Sequence, residues 1–217
     1  MKKGLSELVF ILDKSGSMGG LEADTIGGYN AMLERQRALD GECLITTVLF
    51  DSGYEILHDR ADIRAVGPIS EAEYKVGGTT ALLDAIGRTI LRIDRAQERS
   101  AGDSRAEKVL FVIITDGEEN ASREYSAEKV RALIERQKAQ RGWEFVFLGA
   151  NIDAVRTAGR FGISADRAQN YHADGKGINL NFRAMSRAVA AFREHSAIPE
   201  DWNAEIQEDY KSRGGRR

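Results

Sequence analysis

Asp13, Ser15 and Ser17 set one carboxylate and two hydroxyls at alternating positions directly after an apolar run, Leu8-Val9-Phe10-Ile11-Leu12. Oxygen donors in this pattern make half of a site for a hard cation. Two further segments offer the same chemistry at corresponding places. Gly77-Gly78-Thr79-Thr80-Ala81-Leu82-Leu83-Asp84-Ala85-Ile86 puts hydroxyls just ahead of a helical pattern, and Val109-Leu110-Phe111-Val112-Ile113-Ile114-Thr115-Asp116-Gly117 ends a second apolar run on a carboxylate. Magnesium and manganese favour octahedral oxygen coordination, take few carboxylates and keep several waters, so hydroxyls with one or two aspartates suit them. Zinc would want thiolate or imidazole, and here Cys43 is the sole cysteine while His58, His172 and His195 lie far apart in sequence.

Singly, each segment is ordinary: Ser-Gly-Ser reads as a loop with a helix cap, the threonines as cap residues, Thr-Asp-Gly as a turn. In conjunction and in this order, they resemble the metal-ion-dependent adhesion site of the von Willebrand factor A domain family, in its intracellular bacterial form. The resemblance spans residues 5–195 and leaves 196–217 as a C-terminal tail. It implies that Asp13, Ser15, Ser17 and Thr80 hold a divalent cation, magnesium foremost with manganese or calcium as alternatives, and that Asp116 acts through water. Thr79 is the alternative to Thr80. The phrase Thr80-Ala81-Leu82-Leu83-Asp84-Ala85-Ile86 favours Thr80, because in the family the ligand threonine precedes a small, an apolar, any, an acidic residue and then Ala-Ile or Ala-Leu.

The function implied by the resemblance is binding rather than catalysis: a Glu or Asp of a protein partner completes the coordination shell. Such a module acts as an adaptor or assembly subunit, and intracellular relatives work beside ATPases or in multiprotein systems. Recognition around the anchor would fall to Met18-Gly19-Gly20, the Asp59 to Gly78 connection and Glu118-Glu119-Asn120-Ala121-Ser122, with Glu118 and Glu119 either supporting the metal or simply solvated.

The elements that must position these residues alternate between strand and helix, which predicts a doubly wound, mostly parallel sheet with helices on both faces. Strands are expected at Leu5 to Leu12, Cys43 to Phe50, Lys108 to Ile114, Trp143 to Leu148 and briefly at Gln169 to His172. Tyr54 to His58, after the turn Asp51-Ser52-Gly53, is expected to be an antiparallel edge strand. Helices are expected at Leu21 to Leu39, Thr80 to Gln97 with Leu82, Ile86, Ile90 and Ile93 inward, Ser126 to Arg141, Asp153 to Phe161 and Leu180 to Phe192. Asp59 to Gly78 has no clean period and reads as an irregular connection, Glu98 to Glu107 as a polar loop. In such sheets ligands bind beyond the carboxyl ends of the strands, where Asp13 and Asp116 fall.

Composition fits one compact domain: 217 residues, 42% hydrophobic and 30% charged. The net charge of -3 supplies no general attraction to nucleic acid or anionic membrane. Met1-Lys2-Lys3 runs into Glu7 and a strand rather than a signal-peptide core, and no apolar stretch is long enough to span a bilayer. The expectation is a soluble, cytoplasmic chain, with Cys43 a buried apolar residue. In the tail, Trp202, Ile206 and Tyr210 recur at four-residue spacing as a short docking helix, followed by a mobile basic end, Lys211 to Arg217.

Competing chemistries lack their residues. A phosphatase of the haloacid dehalogenase kind needs a second Asp two positions after the first, where Ser15 stands. A nucleophile-elbow hydrolase needs Gly-x-Ser-x-Gly, and Asp13 occupies the first glycine position. A nucleotide-binding sheet protein needs a Gly-x-Gly-x-x-Gly or Gly-x-x-x-x-Gly-Lys loop, and neither is present.

Overall fold

The computed structural model describes residues 1–101 and 104–215. Gly102 and Asp103 of the expected polar loop, and Arg216 and Arg217 of the basic end, lie outside the described residues.

Six strands form one sheet in the order β3-β2-β1-β4-β5-β6: β1 (Lys2–Asp13), β2 (Cys43–Phe50), β3 (Tyr54–Asp62), β4 (Ala106–Thr115), β5 (Glu144–Gly149) and β6 (Ala168–Asn170). All pairings are parallel except β2 with β3, so the expected mixed sheet with one antiparallel edge strand is what the chain forms. The central strands are apolar without alternation because both of their faces are covered. One core, under α1 (Glu22–Arg37) and α5 (Gly175–His195), gathers Leu8, Phe10, Leu12, Leu110 and Val112. The other, under α2 (Leu82–Arg99), α3 (Ala127–Arg141) and α4 (Ala154–Arg160), gathers Val9, Ile11, Val109, Phe111 and Ile113. The period-2 geometry of a strand sends these neighbouring residues to opposite faces. Ile86, Ile90 and Ile93 of α2 are fully buried, each contributing roughly 1.5–3 kcal/mol.

Expected and observed elements agree in kind and order, with shifted ends. β3 runs on to Asp62 and α5 starts five residues before Leu180, at Gly175, where the Asp174 side chain accepts from Gly177 N–H and caps the helix. α2 begins at Leu82 rather than Thr80, and no side-chain bond caps it from Ala81.

The connection from Ile63 to Ala81 contains no helix or strand, yet it is anchored. Ile63, Val66, Ile69 and Tyr74 are buried in the α1 and α5 core. Asn30 of α1 brackets Ile69, donating to its carbonyl at 2.8 Å and accepting from its N–H at 2.9 Å. On the same face α1 meets α5 at Gly28, where an added Cβ would come within 2.4 Å of the Phe182 ring.

The tail folds back on the domain. α6 (Ala204–Ser212) carries Ile206 into the α1 and α5 core beside Trp202, whose indole N–H donates to the Asp166 carbonyl at 2.8 Å. Arg213 of the basic end bonds Asp174 and Asp209, which holds that residue to the fold. No helix among the described residues is long and apolar enough to cross a membrane.

Candidate metal centre

β1 and β4 are neighbours in the sheet, so their carboxyl ends deliver Asp13 and Asp116 to the same rim. Asp13 is buried and fully engaged: Oδ1 accepts from Ser15 N–H at 2.7 Å, and Oδ2 from the Thr115 hydroxyl at 2.5 Å. After β1 the chain turns through Gly16–Met18, which brings Ser15 Oγ to 3.1 Å from Ser17 Oγ. Ser17 in turn donates to Asp116 Oδ1 at 2.6 Å.

Thr80 arrives from another direction. Gly16 N–H donates to Gly78 O at 3.1 Å and Gly77 N–H to Lys14 O at 2.9 Å, which laces the loop after β1 to the loop before α2. Gly78 turns the chain there with φ +71°, a conformation in which an L side chain is strained. Thr80 is then buried, while Thr79 is exposed. Gly117 shows where Thr80 points: a Cβ built on it would lie 3.1 Å from Ser17 Oγ and 3.2 Å from Thr80 Oγ1, so both hydroxyls face the space over this glycine. Asp13, Ser15, Ser17, Thr80 and Asp116 are therefore brought together at one rim.

The two carboxylates sit in conditions that penalise their charge. Burial pushes the Asp13 carboxyl above its ordinary range against the pull of Thr115 and Ser15, and nearby Asp116 adds to the push. Burial raises the Asp116 carboxyl as well, with the Ser17 bond opposing. Asp116 Oδ2 is buried and has no hydrogen-bond partner among the described residues. A divalent cation answers these features together: it neutralises the paired carboxylates and accepts hydroxyl oxygens as ligands. The donor set fits such an ion. It suits zinc poorly, because zinc favours thiolate and imidazole ligands and neither a cysteine nor a histidine is among these five residues.

Several supporting residues carry no signal in the sequence motif. Tyr74, from the irregular connection, donates its hydroxyl to the Asp13 carbonyl, and Tyr171 donates to the Thr115 carbonyl at 3.1 Å. Two buried rings thus hold the strand ends from below. Asn151, held at φ +55°, donates to the Asp116 carbonyl at 3.1 Å. Thr115 is the exception in visibility, because it stands next to Asp116 in the same phrase.

The segment after Gly117 is built into the site rather than hanging over it. Asn120 Oδ1 accepts from Thr80 N–H at 2.9 Å, while Asn120 N–H returns to Thr80 O at 3.0 Å. Glu119 accepts from Leu83 N–H at 2.8 Å and from Ser122 N–H at 2.7 Å, so it binds the start of α2 to its own loop. Asp84, the acidic position of the threonine phrase, accepts from Arg123, Glu124 and Tyr125 N–H, each at 2.9 Å. Desolvation draws that carboxyl up, but the three amide bonds together hold it below its ordinary range. Glu118 is exposed.

Cys43 is buried, and its burial pushes the thiol up to about 12 against the field of Arg193, which keeps it protonated and unreactive near neutrality.

No protein-family model and no curated protein matches this sequence. Solved structures do share its architecture. A von Willebrand factor type A protein from Catenulispora acidiphila superposes with a TM-score of 0.58 at 16% identity, covering 86% of this chain and 42% of that one. A mutant of the PilB minor pilin from Streptococcus sanguinis gives 0.58 at 11% identity, over 92% and 62%. Proximal thread matrix protein 1 from the mussel byssus gives 0.60 at 12% identity, over 85% and 48%. This chain thus spans less than two thirds of the length of each. The fold is von Willebrand factor A-like: a six-stranded, mostly parallel α/β sheet with helices on both faces.

Proposed function

We propose that this chain is a metal-dependent protein-interaction module and not an enzyme. Asp13, Ser15, Ser17 and Thr80 would hold a divalent cation, magnesium first among candidates, and Asp116 would support it through water. The observation that carries the reading is the pairing of Ser17 with Asp116 at 2.6 Å beside a second Asp116 oxygen that is buried and unpartnered.

When bound, the cation would supply an electrophilic position for a carboxylate of the partner. The protein's own residues make that position selective. Asp13 is the one carboxylate in the directly ligating set, and its orientation is fixed by Ser15 N–H and Thr115 Oγ1. The hydroxyls of Ser15, Ser17 and Thr80 add oxygen donors without negative charge, so the set leaves the ion short of neutralisation. An acidic partner group then gains more there than it would at a site already rich in carboxylates. Ser17 is exposed, which opens the site to a partner from the rim.

Capture from native lysate tests the proposal, using wild type with magnesium, wild type with chelator, and Asp13→Ala with magnesium. A protein retained in the first arm alone supports a metal-bridged partner. The same proteins in all three arms would refute it. Membership of an ATPase or another multiprotein system would show in the identity of the captured protein.

A further inference from the structure

We propose that a groove between β3 and α2, distinct from the metal centre, docks an acidic polypeptide segment of a partner protein. The groove encloses about 670 Å³ and is lined by five arginines, Arg60 from β3 and Arg88, Arg92, Arg95 and Arg99 from α2. The helical four arise from spacings of four, three and four residues, which place them along one side of the helix over about 16 Å.

Two of these guanidinium groups already grip carboxylates in the manner the proposal requires. Arg88 reaches both oxygens of Glu124, at 2.9 and 2.5 Å, and Arg92 reaches both oxygens of Asp59. Such forked pairing is what a guanidinium does best with a planar carboxylate. Arg60 is committed to the buried Glu7. Arg95 and Arg99, both exposed, form no ion pair with any described residue, which leaves two cations in the groove for a ligand. Tyr54 and Tyr125 add aromatic surface, with the Arg88 guanidinium 5.7 Å from the centre of the Tyr54 ring.

The spacing selects the occupant. Arginines one turn apart on a helix stand about 5–6 Å from each other, close to the about 6.6 Å between alternate side chains of an extended chain. They form a row rather than converging on one phosphate. Nucleic acid draws on a broad basic field, whereas this chain has a net charge of -3, the groove itself carries Asp59, and Arg88 is already paired with Glu124. A short acidic segment suits a short basic row. The groove also leads somewhere: Arg88 lines a second depression of about 600 Å³ that includes Ser52, Thr79 and Asn120, at the rim of the metal centre.

Fluorescence anisotropy of the 217-residue chain tests this, with a labelled peptide of alternating Glu and Gly, its Gln counterpart, and a labelled single-stranded oligonucleotide of equal charge. Chelator is present throughout, so the metal centre takes no part and its failure would not affect the result. The Glu peptide should bind, weaken with added salt, and bind about tenfold more weakly to Arg95→Glu/Arg99→Glu. Asp13→Ala should bind it as wild type does. The milder Arg95→Gln/Arg99→Gln should give a smaller loss in the same direction. Equal binding of the Glu and Gln peptides, or of wild type and the charge-reversed variant, would overturn the proposal. Tighter binding of the oligonucleotide would overturn it in favour of a nucleic-acid site.

Discussion

Ser17 donates to Asp116 Oδ1 at 2.6 Å and so joins the loop after β1 to the end of β4, 99 residues later. The bond spends the serine's hydrogen on the carboxylate, which makes Ser15 the donor across the 3.1 Å between the two hydroxyls and leaves the Ser17 oxygen one lone pair for a cation. It also fixes which Asp116 oxygen is satisfied inside the protein and which is not. The relationship is a product of strand adjacency, because β1 and β4 run parallel side by side and end on the same rim.

Gly117→Ala tests the crowding of that rim. Its Cβ would stand 3.1 Å from Ser17 Oγ and 3.2 Å from Thr80 Oγ1, so both hydroxyls must give by a few tenths of an ångström. Calorimetric titration with magnesium should show affinity reduced about tenfold or more, while the unfolding free energy from urea titration without metal changes by less than about 1 kcal/mol. An unchanged magnesium affinity would mean that Ser17 and Thr80 do not share a ligand.

Asp13→Asn should abolish magnesium binding and, with chelator at pH 7, raise stability. The sign follows from the raised carboxyl. A group that holds its proton more tightly when folded costs stability once ionised, and that cost disappears as pH falls through the folded value towards the ordinary 3.8. The advantage of Asn over Asp should therefore be full near neutrality and vanish in acid. With saturating magnesium the order should reverse at pH 7, because the ion stabilises only the ionised wild type. Urea unfolding of both proteins across pH, with and without metal, reads all of these.

Thr80→Ala should weaken magnesium binding about tenfold, and Thr79→Ala should leave it unchanged, since Thr80 is buried beside Ser17 and Thr79 is exposed. The opposite pattern in titrations would assign the site to Thr79.

Asp84→Ala removes the acceptor for three consecutive amides and should cost roughly 2–4 kcal/mol. Hydrogen exchange should speed at Arg123, Glu124 and Tyr125 before the rest of the molecule. Uniform loss of protection instead would show that the carboxylate supports the whole domain rather than this loop.

The strand-helix order was readable from the sequence because buried parallel strands leave continuous apolar runs, such as Val109 to Ile114, that few other elements produce. The rim residues were readable because Asp13, Ser15, Ser17 and Asp116 sit in short local phrases at the ends of those runs. Tyr74 and Tyr171 were not. Each reaches the site through tertiary packing, from an irregular segment and from beyond an edge strand, and neither place leaves a periodic trace. Asp84 was visible as an acidic position that fixed the threonine register, but its hold on residues 123–125 depends on a helix start meeting a loop about forty residues on. The arginine row on α2 was present as a helical spacing, and the overall negative charge hid it.

The Gly28 and Phe182 meeting makes α1 a keyed track for α5. The ring fits where one residue has no side chain, and the positions one turn to either side, Asp24 and Met32, both carry one. Arg193 adds a bolt at the far end of the same helix, donating to the carbonyls of Gln36, Asp40 and Gly41. A one-turn ratchet of α5 would have to force the ring onto an occupied notch and withdraw that bolt in the same stroke. The notch and the bolt thus index α5 to α1 in one register, each where a shift of a full turn would meet a side chain or break a bond.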